Sequence, residues 1–423
     1  MPENAATENR LRKLTRGRSR SPCIGVALAG GGPLGGIYEV GALLALADSL
    51  DGLDLNALDV YVGVSSGSFV AAALANGISP AQMYRLFIDD GADAALKPDI
   101  FLRPAFAEFA RCLGALPGLA ARATLQYLRD PLRHGVIDSL TTLAQAIPNG
   151  IFDNRAIEAF LARLFAAPGR TNDFRRLRRK LFIVATKLDS GGSVTFGPHG
   201  SSHVPISRAI MASSALPGLF PPVAIDGEHY VDGALNKTLH ASVALDEKVK
   251  LLFCINPLVP FDASSAAYDG RPAVARLNQG GLPLVLGQTF RAIIHSRMKA
   301  GMEKYDRQYP GADVLLFEPA REDADMFFAN IFSYWQRKRL CALAFATTRE
   351  SLRLRARSIV PVLRAQGITL RTDRLSDEGR DITATVADAR ALRPDIRRIS
   401  VRQTKRELRH TLDQLERAMA AAR

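Results

Sequence analysis

Two spacings alternate along this chain. Short apolar runs flanked by glycine, proline or charge give way to longer stretches whose apolar residues recur every three or four positions. The first spacing marks strands buried on both faces, the second marks helices with one apolar face. Cys23 to Leu28 predicts a strand, Tyr38 to Leu50 a helix, Asp59 to Val62 a strand and Ser66 to Ala75 a helix. Leu181 to Thr186, Leu251 to Ile255 and Val314 to Phe317 predict further buried strands, and Val223 to Ala234 reads as a hairpin turning at Gly227. Ala324 to Arg364 predicts one or two long helices, and Ile399 to Ala422 another. Alternation of this kind builds a mostly parallel sheet with helices on both faces. The expected fold class is therefore an α/β three-layer sandwich with a helical C-terminal extension. Ser, Ala, Gly and Asn accumulate between Asp262 and Gln279 and mark a soft boundary. The expected organisation is a disordered basic arm over 1–20, a main domain over 21–260, a sheet-completing and helical part over 261–365, and a basic helical extension over 366–423.

Chemistry gathers where the first two strands meet their helices. Gly63-Val64-Ser65-Ser66-Gly67 has the G-x-S-x-G form of a nucleophile elbow, in which glycines on either side let the backbone turn sharply and expose the serine hydroxyl. The helix N-terminus that follows favours negative charge on the attacking oxygen. Upstream, Gly30-Gly31-Gly32-Pro33-Leu34-Gly35 forms a glycine loop between strand and helix, a natural anion site. Gly30, Gly32 and Gly35 also match the spacing of a dinucleotide fingerprint, so a dinucleotide-dependent oxidoreductase is the rival reading. That fingerprint expects an acidic residue at the end of the next strand, and here the serine elbow stands there. A P-loop is excluded because no Gly-Lys-Ser/Thr follows the loop. The oxyanion of an acyl transfer uses both motifs at once. Pro33 has no N–H, so the amides of Gly31 and Gly32, with that of Ser66, are the better donors.

A third block, Ser213 to Pro222, leads into the hairpin and delivers Asp232-Gly233-Ala234. Taken in order, the glycine loop, the elbow, this block and the aspartate resemble the patatin-like phospholipase family, over roughly Ser21 to Pro260. That family is similar in architecture to the catalytic domain of cytosolic phospholipase A2. The resemblance implies hydrolysis of phospholipid or other fatty acyl esters, with Ser65 as nucleophile, Asp232 as base and Gly30, Gly31 and Gly32 at the oxyanion hole. Gly35, Gly63, Gly67 and Gly233 support these motifs. No metal, calcium or nucleotide cofactor is implied. The family usually places Arg or Lys where this chain has Leu34, which removes a positive charge near the bound lipid. Ala234 replaces the commoner glycine of the aspartate motif.

A serine hydroxyl needs an adjacent base. None of the seven histidines falls in a recognisable partner motif. His229 and His240 flank the aspartate block, so a triad through either is the alternative to a Ser–Asp dyad. A carboxylate acting alone gains from burial, which raises its pKa toward the working pH.

Composition narrows the class. At 423 residues with 47% hydrophobic content the chain can bury a large core. Cys23, Cys112, Cys254 and Cys341 lie far apart without metal or disulfide spacing, as expected of reduced thiols in a cytoplasmic protein. The formal charge of +13 sits at the ends: residues 1–20 carry six Lys/Arg against two Glu, and 351–423 carry seventeen against nine acids. Such ends attract anionic membrane surfaces, which makes a non-catalytic membrane-surface lipid-binding protein a second rival. Nothing resembles a nucleic-acid motif. No stretch reads as a transmembrane helix, and an N-terminal signal peptide is not expected, because its apolar run would contain Glu39 and the glycine loop. Asp99 to Pro104 and Phe106 to Leu119 offer a lid or wall for an acyl channel, and Arg175 to Lys180 a basic run that could touch head groups.

Overall fold

The strands at the centre of the main sheet send alternate side chains into two separate cores. Val26, Leu28, Tyr61, Leu181, Ile183, Phe253 and Ile255 enter one, and Ala27, Val60, Val62, Phe182, Val184, Leu252 and Cys254 enter the other. A strand buried on both faces must be apolar throughout, which is why these segments read as unbroken runs. The structure, a computed structural model, describes residues 23–89, 104–129, 148–262, 281–323 and 336–391.

The strands are β1 (Ile24–Leu28), β2 (Leu50–Asp51), β3 (Val60–Val64), β4 (Lys180–Lys187), β5 (Ser193–Phe196), β6 (Val223–Ile225), β7 (Glu228–Asp232), β8 (Leu251–Ile255), β9 (Asp313–Phe317) and β10 (Thr369–Leu370). The main sheet runs β6-β7-β4-β3-β1-β8-β9, with β5 also paired to β4. Its β4-β3-β1-β8-β9 portion is parallel, and β5, β6 and β7 join antiparallel. The helices are α1 (Gly32–Ser49), α2 (Ser66–Ala75), α3 (Pro80–Phe87), α4 (Phe106–Arg129), α5 (Arg155–Phe165), α6 (Ile206–Ser213), α7 (Ala241–Asp246), α8 (Gly281–Gln308), α9 (Arg337–Leu354), α10 (Ala356–Ala365), α11 (Thr372–Leu375) and α12 (Ile382–Ala391). Residues of α1, α2, α6 and α9 share the first core, and those of α7 and α8 share the second. This is a three-layer α/β/α sandwich.

Several boundaries differ from expectation for definite reasons. α1 begins at Gly32 rather than Tyr38, because Pro33 in its first turn has the φ a helix needs and no N–H to leave unpaired. The helix is apolar nearly all round, as its burial between α9 and the sheet requires. Its Glu39 is fully buried, and burial holds the carboxyl well above the usual carboxylate range. The hairpin β6–β7 turns on Asp226 and Gly227, both with positive φ, the pattern of a two-residue hairpin turn.

β9 lies within the 261–365 segment and pairs in parallel with β8. Beyond it, β10 pairs with β2, and Arg374 and Arg380 bind the buried carboxylate of Asp48 at the end of α1, at 2.5 and 2.6 Å. The helix expected over Ile399 to Ala422, the residues 1–20 and Asp99 to Arg103 lie outside the described residues. Among the described residues no helix is long and apolar enough to cross a membrane. The four cysteines are free thiols, with Cys254 and Cys341 fully buried.

Candidate active site

Strand register brings the site together. β3 pairs with β4 as far as Val64↔Val184, and β7 takes up β4 at the next position, Ala185↔Asp232. Ser65, one residue beyond Val64, therefore meets Asp232 at one level of the sheet. Ser65 Oγ donates a hydrogen bond of 2.6 Å to Asp232 Oδ2, across 167 residues of chain. The other carboxylate oxygen, Oδ1, accepts from the Ala234 N–H at 2.8 Å, so the orientation of the carboxyl is fixed. Both side chains are buried. Burial pushes the Asp232 carboxyl up to about 6, against the lowering pull of its bonds to Ser65 and Ala234.

The elbow is strained and braced. Ser65 has φ 52°, where a side chain is rarely tolerated. Its N–H donates to Ser213 Oγ at 2.8 Å, and that hydroxyl donates to the Val184 carbonyl at 2.6 Å. Ser213, at the end of α6, thus ties the backbone of Ser65 to β4. Sequence reasoning singled out its block but not this role; a serine at a helix end carries no distinguishing signal. The glycines on either side permit close approach rather than special torsions. A Cβ at Gly63 would lie 2.5 Å from the Gly67 carbonyl, and one at Gly67 would lie 2.5 Å from that of Leu28. Gly233 likewise passes against the Val184 carbonyl, and Gly35 against Pro257 and Ser66.

The glycine loop lies beside the nucleophile. A Cβ on Gly30 would meet Ser65 Cβ at 3.1 Å and Ala234 Cβ at 2.8 Å. The Gly30 N–H, however, donates to the Thr238 carbonyl at 3.2 Å, so Gly30 contributes space and not a donor. The reason is its position: it lies two residues beyond β1 and is tied to the loop after Asp232. Gly31 and Gly32 at the start of α1, and Ser66 at the start of α2, line the same cavity as Ser65.

That cavity has a volume of about 550 Å³ and walls that are largely apolar, among them Leu34, Phe69, Phe152, Phe160, Met211 and Phe220. Its floor and sides come from α1, α2, α3, α5, α6 and the block after Ser213, with one face of α8 completing it. Phe152, Asn154, Ile157, Phe160 and Leu161 supply one wall of the cavity, and the side chains of residues 106–110, part of the segment expected to form a lid or wall, lie outside the described residues.

Neither His229 nor His240 is among the described residues that line the cavity with Ser65. His240 is buried under the Gly233–Lys237 turn, hydrogen-bonded to its backbone, and burial with the Lys237 charge lowers it to about 4. His229 is exposed on β7. The basic run also points away. Arg179 pairs with Asp59 and Lys180 with Glu247, at the strand ends opposite to the site.

Comparison with known proteins decides the family. Residues 26–245, over half of the chain, match the family described as Patatin-like phospholipase. The chain belongs to the patatin-like phospholipase family. Its matched segment holds Ser65 and Asp232, while α8 and β9 lie beyond it. Solved structures that match this patatin-like chain include VipD from Legionella pneumophila, 15% identical, covering 79% of this chain and 67% of that one, with a TM-score of 0.37. The type III effector ExoU, from Pseudomonas aeruginosa, is 17% identical over 79% and 53%, with a TM-score of 0.34. Human GIVD cytosolic phospholipase A2, solved with methyl gamma-linolenyl fluorophosphonate, is 13% identical over 82% and 59%, at 0.32. The chain thus spans between about half and two thirds of the length of these structures. Curated proteins provide no sequence match.

Proposed function

We propose that this patatin-like protein is a lipid acyl hydrolase that cleaves fatty acyl esters through an acyl-enzyme on Ser65. The observation that carries the reading is the 2.6 Å hydrogen bond from Ser65 to a desolvated Asp232 in the wall of an apolar cavity. Asp232 accepts the hydroxyl proton as Ser65 Oγ attacks the ester carbonyl. The resulting oxyanion takes hydrogen bonds from the N–H groups of Gly31, Gly32 and Ser66, each donor typically contributing about 10²–10³ in rate. Collapse breaks the ester bond, and the leaving alcohol takes the proton from Asp232. Water then attacks the acyl-enzyme, giving its proton to Asp232; as the acyl–Oγ bond breaks, Asp232 returns that proton to Ser65 Oγ and the fatty acid leaves.

A carboxyl titrating near 6 is ionised at neutral pH yet basic enough to take a proton in the transition state. The cavity suits an acyl chain because few polar groups interrupt its walls. The dinucleotide reading gains no support here, since the end of β3 presents Ser65 where a ribose-binding carboxylate would be needed. Fluorophosphonate labelling of wild type, Ser65→Ala and Asp232→Asn, followed by product identification from mixed phospholipids, tests the proposal. Labelling and acyl release should depend on Ser65, and turnover should fall at least a thousandfold in Asp232→Asn, on the order of an essential-base loss. Acyl release by Ser65→Ala at the wild-type rate would refute it, and its absence from the wild type would favour the non-catalytic lipid binder.

A further inference from the structure

The first half of α8 presents its side chains in the reverse of the arrangement expected of a helix in water. Val285, Leu286, Phe290 and Ile293 point outward, each between 42% and 54% exposed. Leu286, Phe290 and Ile293 form one stripe at i, i+4, i+7, and Val285, Thr289 and Ala292 form the exposed stripe beside it. Thr289 turns its hydroxyl back to the Val285 carbonyl at 2.8 Å, so the second stripe is largely apolar too. From Val285 to Ser296 every exposed residue is uncharged. Polar groups are held on the inner side. Gln288 accepts from the Phe261 N–H at 3.1 Å and donates to the Phe261 carbonyl at 2.8 Å, and Arg321 donates to His295 Nε2 at 2.5 Å. A surface helix of a water-soluble protein normally turns its apolar stripe to the core and its polar residues to solvent.

This outer face is continuous with the cavity. Phe290 lines the cavity and is itself half exposed, and Leu216 and Leu235 are likewise both lining and exposed. These three residues stand where the cavity wall passes into the outer surface. An exposed apolar surface joined to an apolar cavity marks contact with an apolar phase or partner. Two observations select a lipid surface. An acyl chain that crosses this rim from a bilayer never meets water, whereas passage through water costs free energy for every methylene. Further along the same helix, the next exposed charges are Arg297 and Lys299, cations suited to phosphate head groups at the edge of a seated apolar face.

Building on the acyl-hydrolase reading, we propose that this rim docks on the surface of a phospholipid bilayer, with Leu286, Phe290 and Ile293 of α8 seated in the lipid together with Leu216 and Leu235. The substrate's acyl chain then passes from the membrane into the cavity without leaving an apolar environment. The contact is made through α8, an element beyond the family-matched segment. Being apolar, it persists at high salt, where attraction of the basic chain ends to a membrane is screened.

Cosedimentation of the full chain with uncharged phosphatidylcholine vesicles at high salt, in the Ser65→Ala background, reads docking without turnover. Leu286→Gln combined with Ile293→Gln alters only residues outside the cavity wall. The pair should lower the partition coefficient about tenfold to a hundredfold, as loss of two half-exposed apolar side chains implies. Leu354→Gln removes a still more exposed leucine, on α9 and away from the cavity, and should leave partition unchanged. No vesicle binding by the parent, unchanged partition in the double variant, or an equal loss in Leu354→Gln overturns the proposal. A dimer that dissociates in the double variant, with no vesicle binding by either, assigns the face to a second copy of the chain and also overturns it. With Ser65 restored, the double variant should lose hydrolysis of vesicle phospholipid by a similar factor and keep hydrolysis of a soluble short-chain ester; an equal fall in both overturns the docking role. Vesicle binding that depends on Leu286 and Ile293, with no ester hydrolysis by wild type, would retain the docking surface and overturn the hydrolase reading instead.

Discussion

At the scale of single residues, the position of one proton separates the possible mechanisms. Asp232 titrates near 6 and His240 near 4, so the two candidate bases would produce different pH profiles. We expect kcat/KM to fall as pH drops through about 6, with a one-proton inflection, because the base must be ionised to act. An inflection near 4 would point to His240. The sign for stability runs the other way. A carboxyl whose folded pKa is raised favours the folded state below its unfolded value and loses that contribution as pH climbs from about 4 toward 6. On the proposed mechanism, the pair is thus most active where it contributes least to the fold. Ser213 offers a second residue-scale test. Removing its hydroxyl leaves the buried Ser65 N–H without an acceptor. Ser213→Ala should cost about 1–3 kcal/mol in denaturant stability and slow fluorophosphonate labelling of Ser65 by about tenfold, the order expected when a nucleophile loses its positioning.

At the scale of elements, the sequence is most legible where one force acts alone. The ends of α2 and β8 coincide with the apolar runs Ser66 to Ala75 and Leu251 to Ile255, since burial on all sides leaves no ambiguity. Ser65, Asp232 and the glycine loop stand out because a sharp turn or a close backbone approach admits few residue types. Legibility ends where two elements must be placed relative to each other. Nothing in Phe290 or Arg291 distinguishes a helix face lining a cavity from one in water, and Ser213 acquires its meaning only once β4 lies beneath it. The same holds for the Phe152 wall: the bridges of Pro104 to Phe152 and of Gly150 to Gly218 seat residues 150–152 beside the site, which no local pattern announces.

At the scale of the whole molecule, the family-matched segment is not self-contained. β9 covers what would otherwise be an exposed edge of β8, and α9 lies along α1, where the Cys341 carbonyl would be 2.3 Å from a Cβ at Gly41. Asp48 is closed over by Arg374 and Arg380, more than 320 residues away, and their hydrogen bonds outweigh the desolvation that would raise its pKa, so it is held below the usual carboxylate range. Asp48→Asn should lower stability by about 3 kcal/mol at neutral pH, the order expected when a buried ion pair loses one partner. The wild-type advantage should fade as acid protonates Asp48, which denaturant melts at pH 7 and pH 3 would show. The register on β4 has a further consequence. Because Val64 and Asp232 are both registered on β4, the spacing of Ser65 and Asp232 is set by strand pairing rather than by the length of chain between their two strands. Loops that shape the pocket can therefore lengthen, shorten or be exchanged while the reacting atoms keep their spacing. If the proposed function holds, chemistry and selectivity are separately adjustable in this fold, and the walls can change while the Ser65–Asp232 pair is kept.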